Sequence, residues 1–189
     1  MIRIFIADTG TLNVERALAT VSPQRREKAL GISNEASRSL SLGAALLMQN
    51  VLGSSDCTVS ANGKPFFPGS DVHFSLAHCR EKVVCAVSDA PVGVDIELER
   101  KNSLSLARRW FAPDESAAVE SAVNPDEEFC VIWTIKESYI KLRDLRLADM
   151  RRFSVMSLDA EYKTLRFGEY HIGCCTDRIS EIKIIEEKI

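Results

Sequence analysis

Residues 92–98 have the sequence VGVDIEL, in which large apolar residues alternate with a glycine and two acids. This alternation predicts a β-strand with one apolar face and one polar face. Asp95 and Glu97 then point to the same side, with Cα atoms about 6.5–7 Å apart. Two such carboxylates repel each other, and a nearby cation would offset that repulsion. Oxygen ligands favour magnesium, or manganese, over zinc. The alternative is a strand that presents two hydrated acids to solvent.

The composition indicates a globular protein of moderate size. The chain has 189 residues, 46% of them hydrophobic, and a net charge of −3. This length allows one large domain or two small ones around a shared core, and the charge gives no reason to expect nucleic acid as a partner. No apolar run approaches a membrane span and the first residues lack a signal-peptide pattern, so we expect a cytoplasmic protein without membrane association. The six cysteines include no CxxC pair, which favours reduced thiols over a zinc site or disulfides.

The strand and helix patterns are segregated along the chain rather than alternating, which predicts an α+β fold. We expect two similar, pseudo-symmetric halves, residues 1–90 and 91–189, each with helices packed on a small, mainly antiparallel sheet. The middle of the chain is expected to form one such antiparallel sheet. Strands are predicted at residues 2–7, 66–67, 72–76, 82–88, 92–98, 153–158, 162–167, 170–175 and 182–185, and helices at 12–19, 24–30, 35–52, 103–111, from 113 and at 125–143.

The helix predicted at residues 125–143 separates its apolar and charged residues onto different faces. Glu137 and Lys141 are four residues apart and share the face opposite the apolar stripe. An exposed Glu–Lys pair is the ordinary alternative. The apolar stripe consists of Ile132, Ile135, Tyr139 and Leu142.

Taken together, the strand and the helix supply the parts of a phosphate site. Asp95, Glu97 and Glu137 offer three carboxylates to one magnesium ion, which completes its coordination with water and phosphate oxygens. Lys141 is placed to neutralise phosphate charge. These residues predict chemistry on a phosphate ester or a pyrophosphate.

The pattern resembles the Sfp-type 4′-phosphopantetheinyl transferases. The resemblance rests on GVDIE at 93–97, on Phe111 with Glu115, and on WTIKESYIK at 133–141. These segments match the family motifs GxDIE, FxxxE and WxxKEAxxK in order, with Ser138 in place of the common alanine.

Upstream segments extend the resemblance over about residues 22–141. NGKP at 62–65 and FSLAH at 74–78 resemble the family's GKP and FNxSH segments, with Ala77 in place of the usual serine. The basic helix after Ser22, and residues 38–40, resemble the family's first helices.

The resemblance implies a role for each residue of the acidic site. Asp95, Glu97 and Glu137 would hold magnesium, or manganese, at the pyrophosphate of the co-substrate coenzyme A. Glu137 would act as general base, directly or through a water, for a serine hydroxyl of an apo acyl or peptidyl carrier protein. Lys141 would neutralise the departing phosphate, so Glu137, Lys141 and Asp95 are the predicted catalytic residues. Lys136 is expected only to support the site.

The resemblance also implies contacts to the nucleotide part of coenzyme A. The alternative for the basic residues of the helix predicted at residues 24–30 is an ordinary face exposed to solvent. The alternative for a single histidine on a strand is a buried side chain with its hydrogen bonds made within the protein. The predicted coenzyme A contacts are Arg25, Lys28, Ser39, Gly63, Lys64 and His78, with Arg38 assisting.

Four arginines follow the helix predicted at residues 125–143. They would either contact an acidic carrier protein or lie in a loop exposed to solvent. They are Arg143, Arg146, Arg151 and Arg152.

We therefore expect a monomeric phosphopantetheinyl transferase with coenzyme A between its two halves. Two rival functions remain at this stage. One is a magnesium-dependent phosphodiesterase or pyrophosphatase that acts on coenzyme A or a nucleotide. The other is a module that binds coenzyme A or a carrier protein without turnover.

Overall fold

Two β-sheets with helices on their outer faces form the fold. The computed structural model describes residues 1–179 and 181–189, and over these residues it contains nine strands and six α-helices. The strands are β1 (Ile2–Asp8), β2 (Thr58–Val59), β3 (Pro65–Phe66), β4 (His73–Cys79), β5 (Lys82–Ser88), β6 (Val92–Leu98), β7 (Glu161–Phe167), β8 (Tyr170–Thr176) and β9 (Ile182–Glu186). The helices are α1 (Val14–Thr20), α2 (Pro23–Leu30), α3 (Glu35–Leu52), α4 (Leu104–Trp110), α5 (Pro113–Ser121) and α6 (Pro125–Arg143).

The first sheet has the strand order β4-β5-β1-β9, and the second has the order β6-β8-β7. Pairing is antiparallel throughout except between β1 and β9, which run parallel. The α+β class predicted from the sequence is confirmed. The division into two similar halves at residue 90 stays a prediction, and β9, from the end of the chain, belongs to the first sheet.

Strand β6 is buried on both faces. On one face Val94 and Ile96 join β1 and β5 in a single apolar cluster between the two sheets. On the other face α6 lies directly on β6 and β8, because two glycines leave room for its backbone. A Cβ at Gly93 would overlap the Ser138 carbonyl oxygen and lie 2.7 Å from the Leu142 nitrogen; a Cβ at Gly173 would lie 2.9 Å from the Ile135 nitrogen. The two faces therefore alternate as predicted, but neither is open to solvent.

Helix α6 begins and ends close to the residues that its sequence predicts. Asn124 caps it by accepting a hydrogen bond from the Glu127 backbone nitrogen, and Pro125 occupies the first turn. The helix ends at Arg143, where Asp144 adopts a left-handed conformation. The predicted apolar stripe is confirmed, since Ile132, Ile135, Tyr139 and Leu142 are all buried.

A buried ion pair attaches α6 to α5. The Lys136 ammonium, with 0% of its side chain exposed, lies 2.8 and 2.6 Å from the two Glu115 carboxylate oxygens and donates to the Phe153 carbonyl. Glu115 also accepts from the backbone nitrogens of Ala112 and Val155. Every polar group of the pair thus has a partner, which is the condition for burying two charges.

The strand predicted at residues 153–158 is wrong. The segment instead contains the 3₁₀ helix Val155–Ser157, which follows another at Leu147–Arg152. The physical reason is the buried ion pair, because it engages the Phe153 carbonyl and the Val155 amide, which are groups that a strand would offer to a neighbour.

Within the residues that the structure describes, no helix is long and apolar enough to cross a membrane.

The predicted antiparallel sheet in the middle of the chain is only partly formed. Strands β4 and β5 pair as expected, but β6 leaves them and pairs with β8. Strand β1 takes the place beside β5. Several apolar strands from distant parts of the chain could pair with the same neighbour, and local sequence patterns do not specify which of them does.

We predict that Gly93→Ala lowers the free energy of unfolding by more than about 3 kcal/mol, because the new methyl group would overlap backbone atoms of α6. Chemical denaturation measures this change. Gly31→Ala is the matched control, because Gly31 ends α2 in a right-handed conformation and an added Cβ there makes only ordinary contacts. Equal stability of the two variants would contradict the close approach of α6.

We predict that Lys136→Met destabilises the protein by about 3–5 kcal/mol, because it leaves the Glu115 carboxylate buried without its cation. The double variant Glu115→Gln/Lys136→Met removes that charge and should recover part of the loss. Urea denaturation of both variants provides the comparison. A double variant that is less stable than Lys136→Met would show that the ion pair does not determine the loss.

Candidate active site

Three of the predicted site residues meet where α6 crosses β6. The Lys141 ammonium donates to Asp95 Oδ1 over 2.7 Å and lies 3.9 Å from Glu137 Oε2. Asp95 projects from the polar face of β6, and Glu137 and Lys141 project from consecutive turns of α6. The closeness of β6 and α6 at Gly93 brings these side chains within reach of each other.

Asp95 is the most constrained group of the site. Its side chain is almost fully buried, and Oδ2 has no hydrogen-bond partner among the described residues. Burial raises the pKa of Asp95 to about 7; the Lys141 charge opposes this shift, and the charges of Glu137 and Glu97 add to it. A buried carboxylate oxygen without a partner, beside two further acids, suits a cation. The residues present therefore fit a hard metal ion next to Asp95.

Glu97 lies on the same face of β6 as Asp95, but its carboxylate is bonded to residues outside the site. Its Oε2 accepts from Arg100 over 2.8 Å and from the Cys79 thiol over 3.4 Å. In the described part of the chain, Asp95, Glu97 and Glu137 do not form a group with ligand atoms all within 4.8 Å of one another. The three-carboxylate metal set accordingly stays a prediction, with Asp95 and Glu137 as the pair that the structure brings together around Lys141.

A different group of metal-type ligands does converge. Ligand atoms of Glu99, Glu127 and His171 lie within 4.8 Å of one another. Glu99 directly follows β6, Glu127 lies in the first turn of α6, and His171 lies on β8, where it pairs with Glu97. Arg166 lies among them, 3.4 Å from Glu99 and 3.5 Å from Glu127, and contacts the imidazole ring. The guanidinium already supplies the positive charge there, so the group serves to tie β6, β7, β8 and α6 together. The sequence analysis missed it, because only the register of β6 with β8 brings His171 to this face.

A cleft of about 350 Å³ opens beside the acidic site. Its lining includes residues 62–65 of the segment before β4, Glu137 and Lys141 of α6, and residues 144–147 after α6. Two predicted coenzyme A contacts, Gly63 and Lys64, therefore face the same space as the predicted base. The Lys64 ammonium donates to the Leu142 carbonyl over 2.9 Å, and burial lowers the pKa of Lys64.

The other four predicted coenzyme A contacts lie outside this cleft. Arg25 donates to the Ser55 carbonyl over 2.7 Å and thereby ties α2 to the segment after α3. Lys28 is exposed and Ser39 is half-buried. His78 is exposed, so it is not the buried, satisfied histidine that the strand pattern alone favours. These residues stay predictions.

Most of the arginines after α6 have acidic partners within the chain. Arg143 pairs with Asp159 and Asp177, and both Arg146 and Arg152 pair with Asp149, while Arg151 is exposed. Their charge is partly compensated before any carrier protein arrives. The sequence analysis did not predict these intramolecular pairs, and a carrier contact and a solvated loop both stay predictions.

Comparison with known proteins agrees with the geometry. A family model described as the 4′-phosphopantetheinyl transferase superfamily matches residues 91–182, the segment that contains β6 and α6. The 4′-phosphopantetheinyl transferase Sfp of Bacillus subtilis (strain 168) is 33% identical over 173 residues, which cover 85% of this chain and 77% of that protein. The 4′-phosphopantetheinyl transferase gsp of Aneurinibacillus migulanus is 42% identical over 81 residues, 42% of this chain and 34% of that protein. The chain therefore belongs to the Sfp-type 4′-phosphopantetheinyl transferase family.

Proposed function

We propose that the protein transfers the 4′-phosphopantetheine arm of coenzyme A to a serine hydroxyl of an apo acyl or peptidyl carrier protein. The observation that supports this most directly is the Lys141 ammonium beside the Asp95 and Glu137 carboxylates, at the edge of a cleft. The relatives named as 4′-phosphopantetheinyl transferases support the same reaction. Two acids and a lysine are the groups that a pyrophosphate substrate and a proton transfer require.

Asp95 and Glu137, joined by Glu97, are the residues that would hold magnesium, or manganese. The unpartnered Asp95 Oδ2 and the raised pKa of this group support that assignment. When bound, the ion would offset the negative charge of the pyrophosphate and of the leaving group. The remaining chemistry falls to side chains of the chain itself.

Glu137 is placed to take the proton of the serine hydroxyl, directly or through one water. Its side chain is partly exposed at the cleft, where the serine of a carrier protein would enter. As the proton leaves, the serine oxygen forms a bond to the phosphorus that carries pantetheine, and the P–O bond to the neighbouring phosphate breaks. Adenosine 3′,5′-bisphosphate is released. Lys141, one helical turn from Glu137, neutralises the charge on that departing phosphate.

Coenzyme A is proposed to occupy the cleft, with Gly63 and Lys64 along its nucleotide. Arg25, Lys28, Ser39 and His78 remain proposed contacts for the part of the nucleotide that extends beyond the cleft. That the protein acts as a monomer in the cytoplasm, with halves at residues 1–90 and 91–189, also stays a prediction.

The two rival functions are not favoured. A phosphodiesterase or pyrophosphatase would use water in place of a serine, and the matched relatives carry transferase names instead. A binding module without turnover gives no reason for Lys141 to lie beside both the Asp95 and Glu137 carboxylates next to the cleft.

We predict that an apo carrier protein incubated with this protein, coenzyme A and magnesium gains the mass of one phosphopantetheine arm. Glu137→Gln should slow the transfer by about 10²–10⁴-fold, because it removes the general base. Intact-mass spectrometry follows the reaction. Glu128→Gln is the matched control, since Glu128 lies in the first turn of the same helix, away from the cleft. Hydrolysis of coenzyme A without modification of any carrier type would favour the phosphodiesterase instead.

We predict that magnesium raises the melting temperature more at about pH 8 than at about pH 6, since protons compete with the metal for Asp95, whose pKa is raised to about 7. The sign follows from linkage. The folded pKa lies above the unfolded one, so the stability that Asp95 contributes is present at low pH and is lost as pH rises through about 7. Magnesium offsets that loss. Differential scanning fluorimetry measures the shift.

Asp95→Asn should abolish the magnesium-dependent shift in melting temperature, because it removes the titrating carboxylate. Asp71→Asn, at an exposed loop position, should retain it. A shift that is the same at both pH values, or that survives in Asp95→Asn, would exclude Asp95 as a metal ligand.

A further inference from the structure

A short hairpin tip is fastened to the end of the catalytic helix. The tip, residues 60–64, joins β2 to β3. Three of its side chains reach past the end of α6: Ser60 donates to Asp144 Oδ1 over 2.8 Å, Asn62 donates to the Asp144 carbonyl over 2.6 Å, and Lys64 donates to the Leu142 carbonyl over 2.9 Å. The bonds from Asn62 and Lys64 satisfy backbone carbonyls that a helix end otherwise leaves without partners, and the bond from Ser60 goes to the Asp144 carboxylate.

Asp144 is an unexpected residue for this position. Its backbone is left-handed, with φ 52° and ψ 47°, a conformation in which glycine is usual at a helix end. Glycine would remove the conformational strain, but it would also remove the carboxylate that accepts from Ser60. The aspartate is therefore accounted for by the hydrogen bond that its side chain accepts from Ser60 in the hairpin tip.

The Ser60 hydroxyl organises the tip as well as anchoring it. While it donates to Asp144, its oxygen accepts from the backbone nitrogens of Asn62 and Lys64, over 3.2 and 3.0 Å. Strands β2 and β3 have only two residues each and form a sheet of their own. So short a hairpin is marginal without outside support. The conformation of Gly63 and Lys64 thus depends on the bond between Ser60 and Asp144.

We infer that Asp144 is a positioning residue for coenzyme A. Through Ser60 it holds Gly63 and Lys64 in the lining of the cleft that Glu137 also lines, and so it sets the affinity for coenzyme A without taking part in the chemical step. The inference rests on the proposed function, which places coenzyme A in this cleft. It predicts a specific loss of coenzyme A binding when the side-chain acceptor oxygen is removed, and no loss when that oxygen and the left-handed backbone are both kept.

The test compares Asp144→Gly, Asp144→Asn and Ser60→Ala in the full chain. Asp144→Gly suits the backbone but lacks the acceptor, and should weaken coenzyme A binding about tenfold while kcat for carrier modification changes less than about twofold. Asparagine tolerates the left-handed region and keeps an acceptor oxygen, so Asp144→Asn should bind within about threefold of the unaltered chain. Ser60→Ala should match Asp144→Gly, and combining the two should add little. Calorimetry measures the dissociation constant of coenzyme A, and intact mass gives kcat.

Hydrogen exchange of the free protein tests the hairpin independently of any ligand. Asp144→Gly should speed exchange at the Gly63 and Lys64 amides about tenfold, and Ser70→Ala, which removes a hydroxyl from a nearby loop, should not. Unchanged exchange in Asp144→Gly would overturn the inference, as would equal coenzyme A affinities of Asp144→Gly and the unaltered chain. An Asp144→Asn variant as weak as Asp144→Gly would also overturn it. Absence of carrier modification by the unaltered chain would instead count against the proposed function, since binding and exchange are measured without it.

Discussion

The close approach of α6 to the second sheet is the constraint on which the rest of the molecule depends. Gly93 on β6 and Gly173 on β8 provide it, because a side chain at either position would meet the helix backbone. With the helix so near, Asp95 lies beneath Lys141 and becomes buried, and burial in turn raises the pKa of Asp95. The site thus acquires a buried acid suited to a cation because of a packing contact between two backbones.

Helix α6 is held from three directions, which fixes the positions of Glu137 and Lys141. The sheet lies under one face. The Glu115–Lys136 pair attaches another face to α5 and to the 3₁₀ segment. The hairpin tip bonds to the carbonyls at the carboxyl end. Charged groups carried by a rigid element are already in position and need little reorganisation when substrate binds. Such preorganisation is the main source of electrostatic catalysis.

The elements that carry the site could be predicted from sequence because their signals are local. The alternation at residues 92–98 and the cap and stripe at 124–143 correspond to β6 and α6 almost residue for residue. The remaining features depend on contacts between distant residues. The segment 153–158 has an apolar pattern suited to a strand, yet the Glu115–Lys136 pair determines its conformation. The parallel pairing of β9 with β1, the role of Gly173 and the approach of His171 to Glu99 all follow from strand register, which periodicity does not specify.

The most direct test of the acidic site is the position of manganese by anomalous scattering, in crystals of the protein grown with coenzyme A. We expect a peak beside the Asp95 and Glu137 carboxylates, with the Lys141 ammonium turned from Asp95 toward phosphate. A peak only at Glu99, Glu127 and His171, or coenzyme A bound with no metal near Asp95, would contradict the assignment of Asp95 as the buried acid that takes the cation.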